Sequence, residues 1–325
     1  MKYINDLALP EPVFKALVGT NEDYDRHGDY SVTELNNPVR LAILRRRYKN
    51  EIVVRASRQV FAMRGRAMHY IMALAKMPNA IVEERFLVDV DGCKVSMKSD
   101  YAWPYKEGHY HVLDFKDTSI YATKDGLKQD WIWQLNEYAF GLRSRGFLVD
   151  KLTSIVIYRD WKYVDLIRAQ QGGGKYPLAE ITAITCPLWP ETKILNHIKD
   201  RVRLFQDNIE KPDNELPECT NEERWAEPDC WAAVKTSGHS KGNAVSNGAH
   251  FQSKMEALQF QAARRKKNIL VKGGYKKGFI DTEIQFRQSE WKRCERAYCP
   301  CTPFCNQFQE FIKLKKTQPV TTDPF

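Results

Sequence analysis

The chain has 325 residues, 43% of them hydrophobic, enough for one large domain or two modest ones and too many for a disordered protein. With 50 Lys and Arg against 41 Asp and Glu, its net charge is +9, a balance that suits a polyanionic partner such as nucleic acid and equally suits plain solubility. The start, MKYINDLALPEPVFKALVG, does not read as a signal peptide, and no run is apolar enough to span a membrane. The eight cysteines are therefore expected in a reducing, cytoplasmic compartment, where metal ligation is favoured over disulfides.

In chain order, SVTELNNPVRLAILRRRYKN (31–50) predicts a helix. Ser31 and Glu34 fit a capping box, Pro38 suits a first turn, and Arg45, Arg46 and Arg47 form a basic side. RQVFAMRGRAMHYIMALAK (58–76) predicts a longer amphipathic helix, in which Gly65 would let the helix approach a sheet closely on the face that carries His69. Two strands follow, over 80–90 and 93–103, joined by an Asp-Gly turn, and HVLDF (111–115) is a third. WIWQLNEYAFGLRSRG (131–146) is a helix stopped by Gly146. KLTSIVIYRD (151–160) and EITAITCPL (180–188) are strands, and ETKILNHIKDRVRLFQ (191–206) a helix. GGGK at 172–175 fails the phosphate-loop spacing, because Ala169 and Tyr176 stand where Gly and Ser or Thr are required, so it reads as a flexible hairpin connection. KPDNELPE (211–218) marks a boundary, giving domains of 1–212 and 213–325, the second a small α/β module with a strand at 231–235 and a basic helix at 254–267. The order as a whole is α/β, with a mostly antiparallel set of strands.

The chemistry gathers around HVLDFKDT. Strand alternation puts Asp114 and Lys116 on one face, which a plain ion pair would explain. Asp100 ends the preceding strand and would lie beside Asp114. Two carboxylates that close repel unless a cation sits between them, and hard oxygen ligands favour Mg²⁺ or Mn²⁺. Lys116 would then orient a water and stabilise charge on a phosphate. His69 reads as a core histidine or as a ligand that favours Mn²⁺. Gln134 and Tyr138 share a helical face, as an ordinary polar edge or as partners of the metal-site residues.

Taken in order, G-x3-H (65–69), Asp100, D-x-K (114–116) and Q-x3-Y (134–138) resemble the PD-(D/E)XK nuclease superfamily, specifically its RecB-like exonuclease branch with the AddB-type and CRISPR-adaptation nucleases. The resemblance covers residues 25–160, and SVTELNNPVRLAILRRRY is similar to the branch's N-terminal helix signature. It implies a restriction-endonuclease-like core, a central mixed sheet flanked by helices. It also implies a divalent-metal-dependent deoxyribonuclease acting in recombination, repair or phage genome processing. The metal ligands would be His69, Asp100, Asp114 and the carbonyl of Phe115. Lys116 would be catalytic, Gln134 and Tyr138 would contact DNA or brace the site, and Glu83 or Glu84 would be an accessory acid. Partners would be DNA ends, single- or double-stranded, and a recombination or single-strand-binding protein. One departure is Met97, where the family commonly has Gly. It keeps two other readings open, a catalytically impaired DNA-binding or assembly subunit and a structure-specific endonuclease or nickase.

RCERAYCPCTPFC holds Cys294, Cys299, Cys301 and Cys305. Clustered cysteines in a reducing compartment point to metal. The RecB-like branch often carries a four-cysteine iron–sulfur cluster whose last two ligands have five residues between them, as Cys299 and Cys305 do. Four residues separate Cys294 from Cys299, where the branch has two, and its N-terminal cysteine is absent from LNNPVR. The tail resembles a module of phage-encoded members in which a Cys-Thr stretch precedes RC…YC…FC. That resemblance implies Cys219, Cys294, Cys299 and Cys305 as one structural site for [4Fe–4S] or Zn²⁺, with Cys301 spare and Cys93, Cys186 and Cys230 as packing residues. Arg45–Arg47, Arg264–Lys267 and Lys276–Lys277 are candidate phosphate contacts, and Trp131 or Trp133 could stack a base or pack the core.

Overall fold

The computed structural model describes residues 1–19, 28–245, 249–269 and 274–317. These fall into two units, Met1–Pro217 and Glu218–Phe325. The first unit begins with β1 (Lys2–Ile4), α1 (Glu11–Val18), β2 (Tyr30–Ser31), α2 (Val32–Leu35), α3 (Val39–Arg47) and β3 (Val53–Arg55). It continues through α4 (Val60–Ala73), β4 (Ile81–Val82), β5 (Arg85–Val90), β6 (Cys93–Lys98), β7 (Tyr101–Lys106), β8 (His109–Thr118) and α5 (Gln129–Ser144). It ends with β9 (Leu148–Tyr158), α6 (Tyr163–Gly172), β10 (Ile181–Cys186) and α7 (Glu191–Gln206). The second unit comprises α8 (Asn221–Arg224), β11 (Ala226–Glu227), β12 (Cys230–Lys235), β13 (His250–Phe251), α9 (Lys254–Asn268), β14 (Thr282–Arg287), β15 (Glu290–Trp291), α10 (Lys292–Glu295) and α11 (Asn306–Thr317).

The class is mixed α/β. In the first unit a five-stranded sheet has the order β10-β9-β8-β7-β4. Only its β8–β9 pairing is parallel. The unit also has a three-stranded sheet, β2-β6-β5, and a separate parallel pair of β1 and β3. The long strands expected over 80–90 and 93–103 each break in two. β4 and β7 join the five-stranded sheet, while β5 and β6 pair in the three-stranded one. Glu83 sits at the first break with φ of 52°, a left-handed conformation unusual for a residue with a Cβ, and its N–H donates to the Asp100 carbonyl at the second. The two breaks are thus one feature, and both carry a candidate acid.

α5 packs on both sheets and on α7. Its Leu135, Ala139 and Leu142 are buried, as are Ile194, Ile198, Val202 and Phe205 of α7, the i, i+4 stripe expected of a helix facing a core. Gly141 lets α5 approach β5 and β6. A Cβ there would sit 2.6 Å from the Met97 sulfur and closer still to the Phe86 ring. Met97 therefore fills the space that Gly141 leaves.

Four expectations need correction. The helix over 31–50 is two helices, because Pro38 has no N–H to donate and disfavours helical backbone at Asn37; it precedes α3 as its cap. GGGK does lie in the connection between the antiparallel neighbours β9 and β10, but that connection is not a bare loop: α6 occupies it, ends at Gly172 and is capped by Gly173, whose φ of 69° suits a glycine cap. Gly65 is not needed for close packing, since a Cβ there meets nothing within 4 Å, and no residue of α4 is fully buried. The unit boundary follows Pro217 rather than residue 212. Residues 213–217 are fastened to α3: the buried Arg40 donates to the carbonyls of Asp213, Leu216 and Pro217, and Arg47 and Tyr48 hold the Asp213 carboxylate.

In the second unit β13-β12-β14 form an antiparallel sheet against α9, which starts in a Ser253–Glu256 capping box. β11 pairs with β15. Among the described residues no helix is long and apolar enough to cross a membrane.

Candidate metal centre

The antiparallel register of β7 and β8 pairs Tyr101 with Leu113, and one step further it sets Asp100 across from Asp114. Asp100 Oδ2 accepts the Phe115 N–H at 2.9 Å. His69, on α4, places Nδ1 3.6 Å from Asp100 Oδ1 and 2.9 Å from Glu83 Oε1. Ligand atoms of His69, Glu83 and Asp100 all lie within 4.8 Å of one another, the one such group among the described residues. The left-handed turn at Glu83 aims its carboxylate there. Glu84 instead pairs with Arg145 at 2.7 Å on the surface, so of the two candidates it is Glu83 that stands beside His69 and Asp100. Sequence patterning alone does not separate them, because neither residue type signals a positive φ.

Asp114 stands beside this group and outside it. Its side chain is fully buried, with Oδ1 accepting from Lys116 Nζ at 2.6 Å and Oδ2 from Ser154 at 3.4 Å. Lys116 also donates to Gln134 Oε1 at 3.0 Å, and Gln134 Nε2 donates to the Tyr138 hydroxyl at 2.6 Å. Gln134 and Tyr138 therefore hold the lysine. The Phe115 ring packs edge-on against His69 and Tyr101 and fixes the imidazole.

Burial and the neighbouring Asp114 push the Asp100 carboxyl up to about 6. Burial raises Asp114 as well, against the pull of Lys116. The hydrogen bond to Glu83 raises His69, and burial opposes it. Burial pushes Glu83 up, yet hydrogen bonds from His69 and Lys98 leave it below its ordinary value. Two buried carboxylates facing each other need a proton or a cation between them. Oxygen donors with one imidazole suit a small divalent cation, Mn²⁺ more than Mg²⁺. The donor set fits such an ion.

Cys219, Cys294, Cys299 and Cys305 are electrostatic neighbours. Burial, then Glu223 and the other three thiols, push Cys219 up to about 12, and burial with Cys299 and Cys305 does the same to Cys294. Cys299 is held down to about 7 by a hydrogen bond with Cys301, against burial. Cys301 thus packs against Cys299. Gln307 of α11 bonds both the N–H and the carbonyl of Cys219 and anchors it. Thiols are the donor type that zinc and iron–sulfur clusters take, although no three of these sulfurs lie within 4.8 Å of one another. Cys93 and Cys186 are buried, while Cys230, 3.4 Å from His250 Nδ1, is partly open.

The basic candidates divide. Arg46 pairs with Glu34, Arg47 with Asp213, and Arg265 with Asp281, while Arg264 donates to the Ile280 carbonyl; these arginines brace their own units. Arg45, Lys266, Lys267, Lys276 and Lys277 are exposed. Trp133 packs against Trp189 and stacks on His197 while staying half-buried.

No family model and no curated protein matches the chain. A solved structure titled "Crystal structure of SSO0001" matches 60% of this chain and 85% of that one, at 19% identity and a TM-score of 0.42. That likeness is too distant to bear on the site.

Proposed function

We propose that the chain is a divalent-metal-dependent deoxyribonuclease of the PD-(D/E)XK superfamily, in its RecB-like branch, acting as an exonuclease in recombination, repair or phage genome processing. The observation that carries this reading is the buried Asp100–Asp114 pair, with Lys116 clamped beside it by Gln134 and His69 with Glu83 on the other side. His69, Asp100, Asp114 and the Phe115 carbonyl, with Glu83, would hold the cation. When bound, the ion supplies Lewis acidity toward phosphate and water. Lys116 orients the attacking water and offsets charge that builds on the phosphate, and Gln134 keeps its ammonium aimed. The second unit would use Cys219, Cys294, Cys299 and Cys305 for a [4Fe–4S] cluster or a structural Zn²⁺.

Purified protein in Mn²⁺ should shorten end-labelled linear DNA and leave closed single-stranded circles intact, and Asp114→Ala should abolish the cleavage. Nicking or linearisation of the circles would instead support a structure-specific endonuclease, and undiminished cleavage by Asp114→Ala would refute the site.

A further inference from the structure

One face of α5 runs from solvent to core through the candidate site. Trp131, Gln134, Tyr138 and Gly141 follow each other along it at helical spacing. Tyr138 and Gly141 are buried, the latter against Met97 and Phe86. Gln134 holds Lys116. Trp131, in the first turn, is half-buried at the open end of the stripe. Lys116 Nζ lies 5.7 Å from the centroid of its ring, and Lys128 Nζ lies 5.2 Å from it.

Lys116 does not need the ring to be held, since Asp114 and Gln134 already bind its ammonium. What the ring adds is a flat apolar surface one cation–π contact away from the group that faces the scissile phosphate. A base is joined to its phosphate through a single sugar, so a strand whose phosphate meets Lys116 brings a base to this position. Every base has a π-face, and aromatic side chains beside cations are how single strands are bound without reading their sequence. A base inside a duplex is already stacked on its neighbours and cannot offer that face.

We propose that Trp131 stacks on the base of a nucleotide flanking the scissile phosphate, with Lys128 at the adjoining phosphate, so that the substrate is a strand unpaired at that point. This assignment rests on the nuclease reading of the site.

The test is equilibrium binding in Ca²⁺ of two short labelled oligomers of equal length and charge, an oligothymidylate and its abasic counterpart. Wild type should prefer the strand with bases. Trp131→Ala should shrink that preference by about 5- to 150-fold, and Trp131→Phe should keep most of it. Equal binding of the two oligomers by wild type, or a preference in Trp131→Ala within about twofold of wild type, would overturn the proposal. Cleavage in Mn²⁺, measured alongside, reports on the nuclease reading alone: wild type that shows the base preference without cutting contradicts the activity and supports the stacking.

Discussion

At the scale of single residues, the site is legible wherever strand and helix periodicity decide direction. Asp114 and Lys116 share a strand face, and Gln134 and Tyr138 share a helical one, so their meeting follows from spacing. Glu83 is not legible, because its direction depends on a left-handed backbone at a residue that gives no sign of it. Met97 reads from sequence as a bulky side chain in the site, and the structure instead places its sulfur against Gly141 of α5. That pairing makes a prediction. Gly141→Ala should destabilise the fold by about 1–3 kcal/mol through overpacking, and adding Met97→Ala should recover part of the loss, as a double-mutant cycle in denaturant would show. Strict additivity of the two changes would contradict the packing.

At the scale of elements, α7 forms over the residues its periodicity predicts, while the long strands over 80–90 and 93–103 do not persist. Local pattern cannot reveal that their halves join different sheets, since pairing partners are chosen by tertiary contacts. α6 is hidden for a different reason: its sequence has one buried residue, Leu166, and the glycines that follow it draw the eye. α5 carries a further buried acid, Glu137, which accepts from Asn36 at 2.6 Å and lies 3.8 Å from His197. Burial pushes its carboxyl up to about 8, from an ordinary value of 4.5. The native state therefore keeps a proton that the unfolded chain releases above its ordinary pKa. Stability from this group is full below that pH and is lost as pH rises toward 8. Glu137→Gln stays neutral and can still accept from Asn36. Its stability relative to wild type should rise between about pH 5 and 8, by up to roughly 1 kcal/mol per pH unit, and level off beyond. Parallel stability curves for the two proteins would contradict a protonated Glu137.

At the scale of the whole molecule, the sequence marks two units near the right place, because Pro and acidic residues interrupt the periodic pattern at 211–218. It cannot show that residues 213–217 belong to the first unit, since the three carbonyls that Arg40 binds are invisible to composition. A fragment ending at residue 217 should therefore unfold at a higher temperature than one ending at 212, in which Arg40 loses these three acceptors. Equal melting temperatures would contradict this. In the second unit, anaerobically purified protein should carry either a brown chromophore or stoichiometric zinc, and Cys219→Ser should diminish whichever is present. Full metal content in Cys219→Ser would remove that cysteine from the ligand set.

The nuclease reading stands or falls most directly on the Lys116 amino group. End-labelled linear DNA incubated with wild type and with Lys116→Ala, in Mn²⁺ and in chelator, should be shortened by wild type in Mn²⁺ alone. The variant should leave the DNA intact while melting as a folded protein. Equal degradation by wild type and Lys116→Ala, or degradation that survives the chelator, would contradict it.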